Sequence, residues 1–304
     1  MKLLQFSFSL RRLMDTTIDR SSRVCSSEWS GKIRVLQLNT DGSFSTAALL
    51  LDVALREYDV LLLQELHDGG VAFPVPEDYV LFGVPSKVAG DDCSGDGRSR
   101  RDGRQRYWAA IVCRKNLAPS YLPALSNQYC CTVQLESTGD VFVSAYFKRD
   151  RSPDAILGQL HLSEKLRRCI IGADTNAASP LWNESSRDRA KQERGLWIEQ
   201  FVAANRLRVL GADNEEPTFE NHGTSIIDVS FAGRLVTGQD VRWWLSDFDF
   251  LSCHKAIEMA VNFRGGNDDG GGIGSPSALR SARSDFRNID PTAYTMSLPR
   301  PSTC

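Results

Sequence analysis

Residues 172–182 read GADTNAASPLW and directly follow an apolar run that ends at Ile171. An apolar run leading into Gly-x-Asp-x-Asn-Ala is typical of a buried strand that ends in a polar turn, the usual place for a site in an α/β fold. Asp174 and Asn176 are two residues apart, so at a strand end their side chains can offer one acceptor and one amide donor to a common point. That pair suits a polarised water beside a phosphate. The alternative is a turn in which both side chains only cap their own backbone.

The overall charge gives no broad attraction to nucleic acid, because 36 Lys and Arg nearly balance 38 Asp and Glu in the 304 residues. Any basic footprint must therefore be local. A run of five arginines supplies one: Arg98, Arg100, Arg101, Arg104 and Arg106. Such a run is either a solvated flexible loop or part of a substrate-binding surface.

The chain is long enough, and at 41% hydrophobic residues apolar enough, for a sizeable core. We expect a loose leader over residues 1–30, one folded domain over 31–263, and a flexible Gly-rich linker and tail over 264–304. The eight cysteines lack paired metal spacing and predict reduced thiols of an intracellular protein. No stretch is long enough to span a bilayer, so no membrane partner is expected.

Hydrophobic periodicity predicts the order of strands and helices. Strands at 33–39 and 60–65 flank a helix at 45–58. A short strand at 79–85 and three further strands then precede a helix at 153–168. A second helix is predicted at 195–205, with Leu196, Trp197, Phe201 and Val202 on its apolar face. Several strands follow one another without a helix between them. This pattern predicts an α/β fold that is a four-layer sandwich, with two mixed β-sheets packed face to face and helices on the outside.

Polar residues stand at the ends of the predicted strands, in short motifs along the whole domain. They are Asn39 and Asp41 in LNTDG, Glu65 in LLLQE, Tyr146 in VSAYF, Asp174 and Asn176 in GADTNA, Asp228 in SIIDVSF, and His254 in LSCHKAI. In this order the motifs resemble the exonuclease–endonuclease–phosphatase family, which includes DNase I and the apurinic/apyrimidinic endonucleases. The SPLW, GLW and PTF segments are most similar to the endonuclease domains at the front of non-LTR retrotransposon polyproteins.

The resemblance implies a Mg²⁺-dependent phosphodiesterase, with Mn²⁺ as a substitute ion. Glu65 is then the metal ligand and Asp41 a second one, although Asn-x-Asp-Gly also suits a tight turn. His254 acts as general base toward the attacking water or holds the phosphate, and Asp228 sets its tautomer. Asp174 orients or activates the water. The donors to the phosphate oxygens are Asn39, Asn176 and Tyr146.

The same resemblance implies DNA as the substrate. The arginine run then lies on the substrate side, and Thr218 and Ser225 are assigned to substrate binding as well. The tail segment RNIDPTAYTMSL, residues 287–298, is similar to the passage from endonuclease to reverse transcriptase in such polyproteins. A reverse transcriptase is therefore expected C-terminally in the parent polyprotein, with nicking of a target strand in the nucleus as the role.

One motif departs from the family. Its Ser-Asp-His reads Ser252-Cys253-His254 in this chain, so one carboxylate is missing, and a thiol is a poor ligand for a hard cation. A catalytically impaired nucleic-acid-binding remnant of a retroelement is the alternative function. A phosphatase of the same fold is a third reading.

Overall fold

The structure, a computed structural model, describes residues 32–50, 54–67, 75–87, 105–221 and 223–262. Within these residues the predicted apolar runs form β-strands. These residues belong to one compact unit, Met1–Gly265. The predicted leader, the tail from 264 and the arginines Arg98, Arg100, Arg101 and Arg104 lie outside the described residues. The domain bounds therefore stay predictions.

Among the described residues, the strands of the first sheet are β1 (Ile33–Asn39), β2 (Val60–His67), β3 (Tyr79–Gly83), β4 (Ser86–Lys87), β5 (Gln105–Arg114), β14 (Val241–Leu245) and β15 (Ile257–Val261). Their order in the sheet is β14-β15-β1-β2-β5-β3, with β4 also paired to β5.

The strands of the second sheet, in the same part of the chain, are β6 (Pro119–Tyr121), β7 (Cys130–Leu135), β8 (Val141–Tyr146), β9 (Cys169–Asp174), β10 (Arg208–Leu210) and β13 (Asp228–Ala232). Their order in the sheet is β10-β13-β9-β8-β7-β6. A small hairpin pairs β11 (Phe219–Glu220) with β12 (Thr224–Ser225).

The helices lie on the outer faces. The α-helices are α1 (Phe44–Leu49), α2 (Leu55–Glu57), α3 (Pro153–Leu157) and α4 (Arg189–Ala204). Single 3₁₀ turns occupy Lys115–Leu117, Pro123–Leu125, Gly158–Leu160, Glu164–Arg168 and Pro180–Trp182.

Three apolar clusters separate four layers and confirm the predicted sandwich. Val35, Leu62 and Ile111 of the first sheet pack with residues such as Phe142 and Ile170 of the second, which forms the core between the sheets. The outer face of the first sheet packs on α1 and α2, and the outer face of the second packs on α3 and α4. Successive side chains of a strand point to opposite faces of its sheet, so neighbouring residues of one strand pack into different apolar clusters.

Two of the predicted helices differ from the structure. The helix expected at 153–168 is broken into α3 and two 3₁₀ turns, because Leu162 has a φ of 56° and Ser163 starts a new cap. The second predicted helix begins earlier, at Arg189, where the Asp188 carboxylate accepts the Ala190 N–H at 2.9 Å. Leu196 does not lie on its buried face, because 55% of this residue is exposed.

Parallel strand pairs bring the polar strand ends together. β1 runs parallel to β2, and β8 runs parallel to β9 with Tyr146 opposite Asp174. β13 runs antiparallel to β9, so its first residue, Asp228, also pairs with Asp174. Asn39 ends β1, so the polar ends of neighbouring strands gather at one edge of the sandwich.

Gly172 lets the two sheets approach closely beneath this edge. A Cβ at this position would lie 2.8 Å from Gln37 Oε1 and 2.9 Å from Leu62 Cδ1. Gln37 Nε2 instead donates to the Ala173 carbonyl at 3.3 Å, and Ser230 Oγ donates to Gln37 Oε1 at 2.7 Å. The glycine of the GADTNA motif is therefore required for the contact between sheets that fixes the distance across the site.

Candidate active site

Asp174 is the centre of a hydrogen-bonded chain at the polar edge. Asn39 Nδ2 donates to Asp174 Oδ2 at 2.8 Å, and the Asp41 N–H donates to Asn39 Oδ1 at 2.8 Å, which fixes which way the Asn39 amide points. Asn176 donates its backbone N–H to Asp174 Oδ1 at 3.0 Å and its Nδ2 to Asp174 Oδ2 at 3.3 Å. The turn contacts considered from the sequence therefore exist, and a partner 135 residues away shares the same carboxylate.

His254 and Asp228 form a buried pair next to Asp174. Asp228 Oδ2 lies 2.8 Å from His254 Nδ1, so Nε2 is the ring nitrogen left for a substrate. The ligand atoms of Asp174, Asp228 and His254 all lie within 4.8 Å of one another. Asp228 Oδ1 is buried and has no hydrogen-bond partner within the described part of the chain.

The charges in this cluster shift the two titrating groups. Burial lowers the pKa of His254, but the carboxylates of Asp228, Asp174 and Asp41 outweigh it and raise the pKa to about 9. Burial, followed by the like charge of Asp228, raises the pKa of Asp174 to about 7. At neutral pH the imidazole therefore carries a proton, while Asp174 can gain or lose one.

The raised pKa of His254 predicts that stability falls as pH rises. The folded state holds a proton that an unfolded histidine releases near pH 6.5, so the stabilisation is complete below that pH and is lost as pH rises to about 9. We expect the free energy of unfolding to fall by about 3 kcal/mol between pH 6.5 and 9 in urea titrations. His254→Gln removes this slope, whereas His161→Gln, at an exposed histidine, keeps it. A flat wild-type profile would contradict the assignment.

Three residues, one of which is Asn39, donate hydrogen bonds to the Glu65 carboxylate. Arg106 Nη2 forms an ion pair with Glu65 Oε2, Asn39 Nδ2 lies 3.5 Å from Glu65 Oε1, and the Tyr146 hydroxyl also hydrogen-bonds the carboxylate. Burial, followed by the charge of Glu65, raises the pKa of Tyr146 well above its ordinary value, so the hydroxyl stays a donor. Tyr146 stacks on Trp108, with ring centroids 5.4 Å apart.

Three site residues have left-handed backbone, with φ of 52° at Asp41, 51° at Glu65 and 44° at Asn176. Non-glycine residues rarely adopt this conformation, and it costs about 1–3 kcal/mol each. A buried guanidinium supports the last of these turns, because Arg194 donates to the Asn176 carbonyl and, at 3.2 Å, to the Arg149 carbonyl. The strained turns direct the side chains toward the same edge.

Cys253 stands where the family motif has a carboxylate. Burial, followed by a hydrogen bond to Asp41, raises the pKa of its thiol, which therefore stays protonated and neutral. The neighbouring Ser252 Oγ donates to the Asn39 carbonyl at 2.7 Å and accepts the His254 N–H at 3.1 Å. The motif thus connects the histidine to β1 but adds no negative charge.

The predicted metal pair and the converging cluster are different sets of residues. Asp41 and Glu65 supply hard carboxylate oxygens, and Mg²⁺ needs only one or two from a protein, so this pair fits the ion. Asp174, Asp228 and His254 converge more tightly, but the proton on His254 opposes a second cation there. The assignment of Glu65 and Asp41 to the metal therefore stays a prediction, separate from the cluster of Asp174, Asp228 and His254.

Two residues assigned to substrate binding lie in the hairpin region. Thr218 is fully buried, and its Oγ1 accepts the N–H groups of Ile227 at 3.1 Å and Asp228 at 3.0 Å. Thr218 therefore positions the start of β13 through its hydroxyl, and its assignment to substrate binding stays a prediction. Ser225 is partly exposed, and its carbonyl accepts the Thr218 N–H; its substrate role stays a prediction.

Sequence reasoning missed a basic rim next to Tyr146. Arg149 Nε lies 3.4 Å from Asn176 Oδ1, and Lys148 Nζ lies 4.9 Å from the centroid of the Trp108 ring. Arg149 is exposed and has no ion pair among the described residues. The signal was available, because KRDR follows two residues after the tyrosine. The contact between Arg194 and Asn176 had no such signal.

Comparisons with known proteins agree with this fold. A family model described as "Endonuclease-reverse transcriptase" matches residues 141–258. A 115 kDa protein in the type-1 retrotransposable element R1DM of Drosophila melanogaster is 29% identical over 144 residues, which cover 43% of this chain and 14% of that protein. The Pol polyprotein of the type-1 element R1 of Bradysia coprophila is 31% identical over 126 residues, covering 40% of this chain and 12% of that protein.

Solved structures share the architecture. The endonuclease domain of TRAS1, a telomere-specific non-LTR retrotransposon, has a TM-score of 0.60 at 24% identity, covering 76% of this chain and 99% of that domain. The AP endonuclease LMAP from Leishmania major has a TM-score of 0.53 at 14% identity, covering 79% of this chain and 91% of that one.

These findings support the resemblance to the exonuclease–endonuclease–phosphatase family. The relatives in sequence are proteins of R1 retrotransposable elements, and the endonuclease domain of TRAS1 shares the fold. The aligned part spans only 14% and 12% of the length of the two retroelement proteins. No helix in the described ranges is long and apolar enough to cross a membrane.

Proposed function

We propose that this chain is a Mg²⁺-dependent DNA endonuclease, also active with Mn²⁺, that nicks one strand of a target duplex for retrotransposition. The observation that carries the proposal is the continuous hydrogen-bonded chain from Asn39 through Asp174 to Asn176, with the pair of Asp228 and His254 beside it. A single anionic substrate at this edge would meet amide donors, an imidazolium and a carboxylate able to take a proton.

The residues have distinct roles in hydrolysis of the phosphodiester. Asp174 accepts a proton from the attacking water, because its raised pKa of about 7 makes it a stronger base than an ordinary carboxylate. His254, protonated and held by Asp228, donates from Nε2 to a non-bridging oxygen. This role favours holding the phosphate over acting as general base. The amides of Asn39 and Asn176 and the hydroxyl of Tyr146 add neutral donors.

Glu65 and Asp41 would hold the divalent ion. When bound, the ion supplies charge to balance the negative charge that builds up on the phosphate and the leaving oxygen. The product carries a 3′-hydroxyl, which primes reverse transcription by a domain placed C-terminally in the parent polyprotein. Such a reaction takes place in the nucleus.

The proposal is tested with supercoiled plasmid, where one nick converts the supercoiled form into the open circle. Purified protein with Mg²⁺ is expected to produce open circles. A DNA ligase is expected to reseal them, because the nick carries a 5′-phosphate and a 3′-hydroxyl end. EDTA abolishes the conversion. Folded protein that produces no open circles with Mg²⁺ or Mn²⁺ would refute the enzymatic proposal.

Cys253 favours a second candidate function, a DNA-binding remnant with weak turnover. Its neutral thiol lies next to Asp41, where the family motif has a carboxylate, so the metal-holding end carries one negative charge fewer. Binding of DNA needs the basic rim and the donors but not this charge. The two candidates therefore differ only in turnover.

Cys253→Asp is expected to raise the nicking rate about tenfold, because a second carboxylate beside Asp41 attracts the divalent ion. The measurement is the initial rate of plasmid nicking at several Mg²⁺ concentrations, where the variant also reaches half-maximal rate at lower Mg²⁺. Cys253→Ser is the matched control and stays at the wild-type rate. An equal gain in both variants would show that loss of the thiol, and not the added charge, is the cause.

A further inference from the structure

Arg106 is the one described member of the predicted arginine run, and its contacts place it inside the site. Its Nη2 forms the ion pair with Glu65 Oε2, and its guanidinium carbon lies 3.9 Å from the centroid of the Trp108 ring. Its Nε is buried and has no hydrogen-bond partner among the described residues. A cation therefore already sits on the carboxylate that the proposed function assigns to the metal.

We propose that Arg106 occupies the cation position at Glu65 while the metal is absent, and that the divalent ion displaces it toward the substrate phosphate. The inference rests on the proposed function, because it takes Glu65 as the metal ligand. It adds a residue that sets the metal affinity and links metal binding to substrate binding.

The ion pair and the metal compete for the same oxygen. A carboxylate offers about four lone-pair positions, and Glu65 already accepts hydrogen bonds from Asn39, Tyr146 and Arg106. Arg106 takes Oε2, and two cations cannot share that oxygen at contact distance without strong repulsion. The side chains of Arg106 and Glu65 are only 25% and 16% exposed, so water screens this repulsion incompletely.

Trp108 keeps the displaced guanidinium near the substrate. The indole lies under Arg106, and it also stacks on Tyr146 at 5.4 Å with ring planes 8° apart. The attraction between a guanidinium and an aromatic face does not depend on Glu65, so Arg106 remains above Trp108 when the ion pair opens. The freed Nη2 and the unpaired Nε then form a fork of donors, the geometry that binds phosphate oxygens in pairs.

The first experiment measures Mn²⁺ affinity in the absence of DNA, by the loss of the electron paramagnetic resonance signal of the free ion. Arg106→Met, which keeps an apolar chain on Trp108, is expected to bind Mn²⁺ about tenfold more tightly than the wild type, since the competing ion pair is gone. Arg106→Gln, which also removes the charge, shows the same gain. An unchanged or weaker affinity in both variants, with folding verified by circular dichroism, would overturn the inference.

Arg114 provides the matched control at the other end of β5. It is ion-paired to Asp59 at 3.0 Å and to Asp78 at 3.5 Å, and it lies 4.9 Å from the centroid of the Tyr79 ring. Arg114→Met therefore removes an arginine with the same kinds of contact outside the site. It is expected to leave Mn²⁺ affinity unchanged, and a gain equal to that of Arg106→Met would reduce the effect to overall charge and overturn the proposal.

The second experiment separates this inference from the proposed function. Glu65→Gln is expected to abolish Mn²⁺ binding. If this variant bound Mn²⁺ as tightly as the wild type, Glu65 would not be the metal ligand, and the competition between Arg106 and the ion would be refuted as well. At saturating Mn²⁺, Arg106→Met is expected to bind duplex DNA about tenfold more weakly than the wild type, because a phosphate contact is lost. Normal DNA binding by that variant would overturn the transfer of Arg106 to the phosphate while leaving the proposed function intact.

Discussion

Replacing Asp174 by asparagine is expected to lower the rate of DNA nicking by about three orders of magnitude. The amide has almost the same shape as the carboxylate but cannot accept a proton from water at neutral pH. It also brings a donor toward Asn39 Nδ2, which in the wild type donates to Asp174 Oδ2 at 2.8 Å. The variant therefore loses the base and loosens the residue that orients the phosphate.

The measurement is the initial nicking rate between pH 5 and 10. The wild type is expected to rise with an apparent pKa of about 7, as Asp174 loses its proton, and to fall near 9, as His254 loses its own. Asp174→Asn lacks the rising limb in what activity remains. The matched control is Asp140→Asn, because Asp140 is also a fully buried aspartate but is ion-paired to Arg168 at 2.7 Å, away from this edge. A rate for Asp174→Asn within tenfold of that of Asp140→Asn would remove Asp174 from the chemistry.

The position of the candidate site could be predicted from the sequence because its residues stand at strand ends. Each apolar run ending in a polar residue indicates where a strand leaves the core, and parallel pairing of β1 with β2 and of β8 with β9 brings those ends to one edge. Asn39 and Asp174 are 135 residues apart yet hydrogen-bonded. Their motifs and the family order predicted that both residues belong to one site, whereas periodicity alone could not have done so.

The supporting contacts could not be predicted, because they depend on side chains that meet through packing. Arg194 is a charged residue in an amphipathic helix, where the pattern predicts a solvated position. In the structure it is only 8% exposed and supports the left-handed turn at Asn176. The hydroxyl of Thr218 accepts two backbone N–H groups, a structural role that its motif did not indicate. Local sequence does not encode which of these polar groups faces outward.

The exposure of Leu196 has a similar cause. Helical spacing placed it on the buried face, but Gly195 is the residue that contacts the neighbouring segment, since a Cβ there would lie 1.8 Å from the Ala178 carbonyl oxygen. The close approach at the glycine rotates the buried stripe toward Arg194 and Ile198. A pattern of apolar residues cannot anticipate a contact made by the absence of a side chain.

Glu65→Gln is expected to lower nicking by at least about three orders of magnitude while DNA binding persists. The substitution keeps the length and the oxygen that accepts from Asn39 but removes the charge that would hold the divalent ion. Among the donors proposed to meet DNA phosphates, Asn39, Tyr146 and Arg106 contact Glu65 and keep their donor groups in the variant. The others, which are Lys148, Arg149, Asn176 and His254, have their described contacts with residues other than Glu65. Loss of turnover and loss of binding are thereby separated.

The two properties are measured on one preparation. Plasmid nicking gives the rate, and fluorescence anisotropy with a labelled duplex gives the affinity at several salt concentrations, where the logarithm of the affinity is expected to fall linearly with the logarithm of the salt concentration. Glu193→Gln is the matched control, because Glu193 is an exposed helix glutamate paired to Arg189 at 2.8 Å; it is expected to nick at the wild-type rate.

The outcome decides between the enzyme and the remnant. One outcome is that the wild type nicks DNA, whereas Glu65→Gln does not nick but binds DNA with the same salt-dependent affinity. In that case the Glu65 carboxylate is needed for turnover alone, and a domain that only binds DNA would not need it. A wild type and a variant with the same residual nicking would mean that the activity belongs to a contaminant, and salt-dependent binding alone would then favour the remnant. The thiol at Cys253 is neutral and adds no charge to the metal-holding end, so Glu65 and Asp41 are the carboxylates assigned to the ion. Removing the charge of Glu65 therefore tests the metal assignment directly.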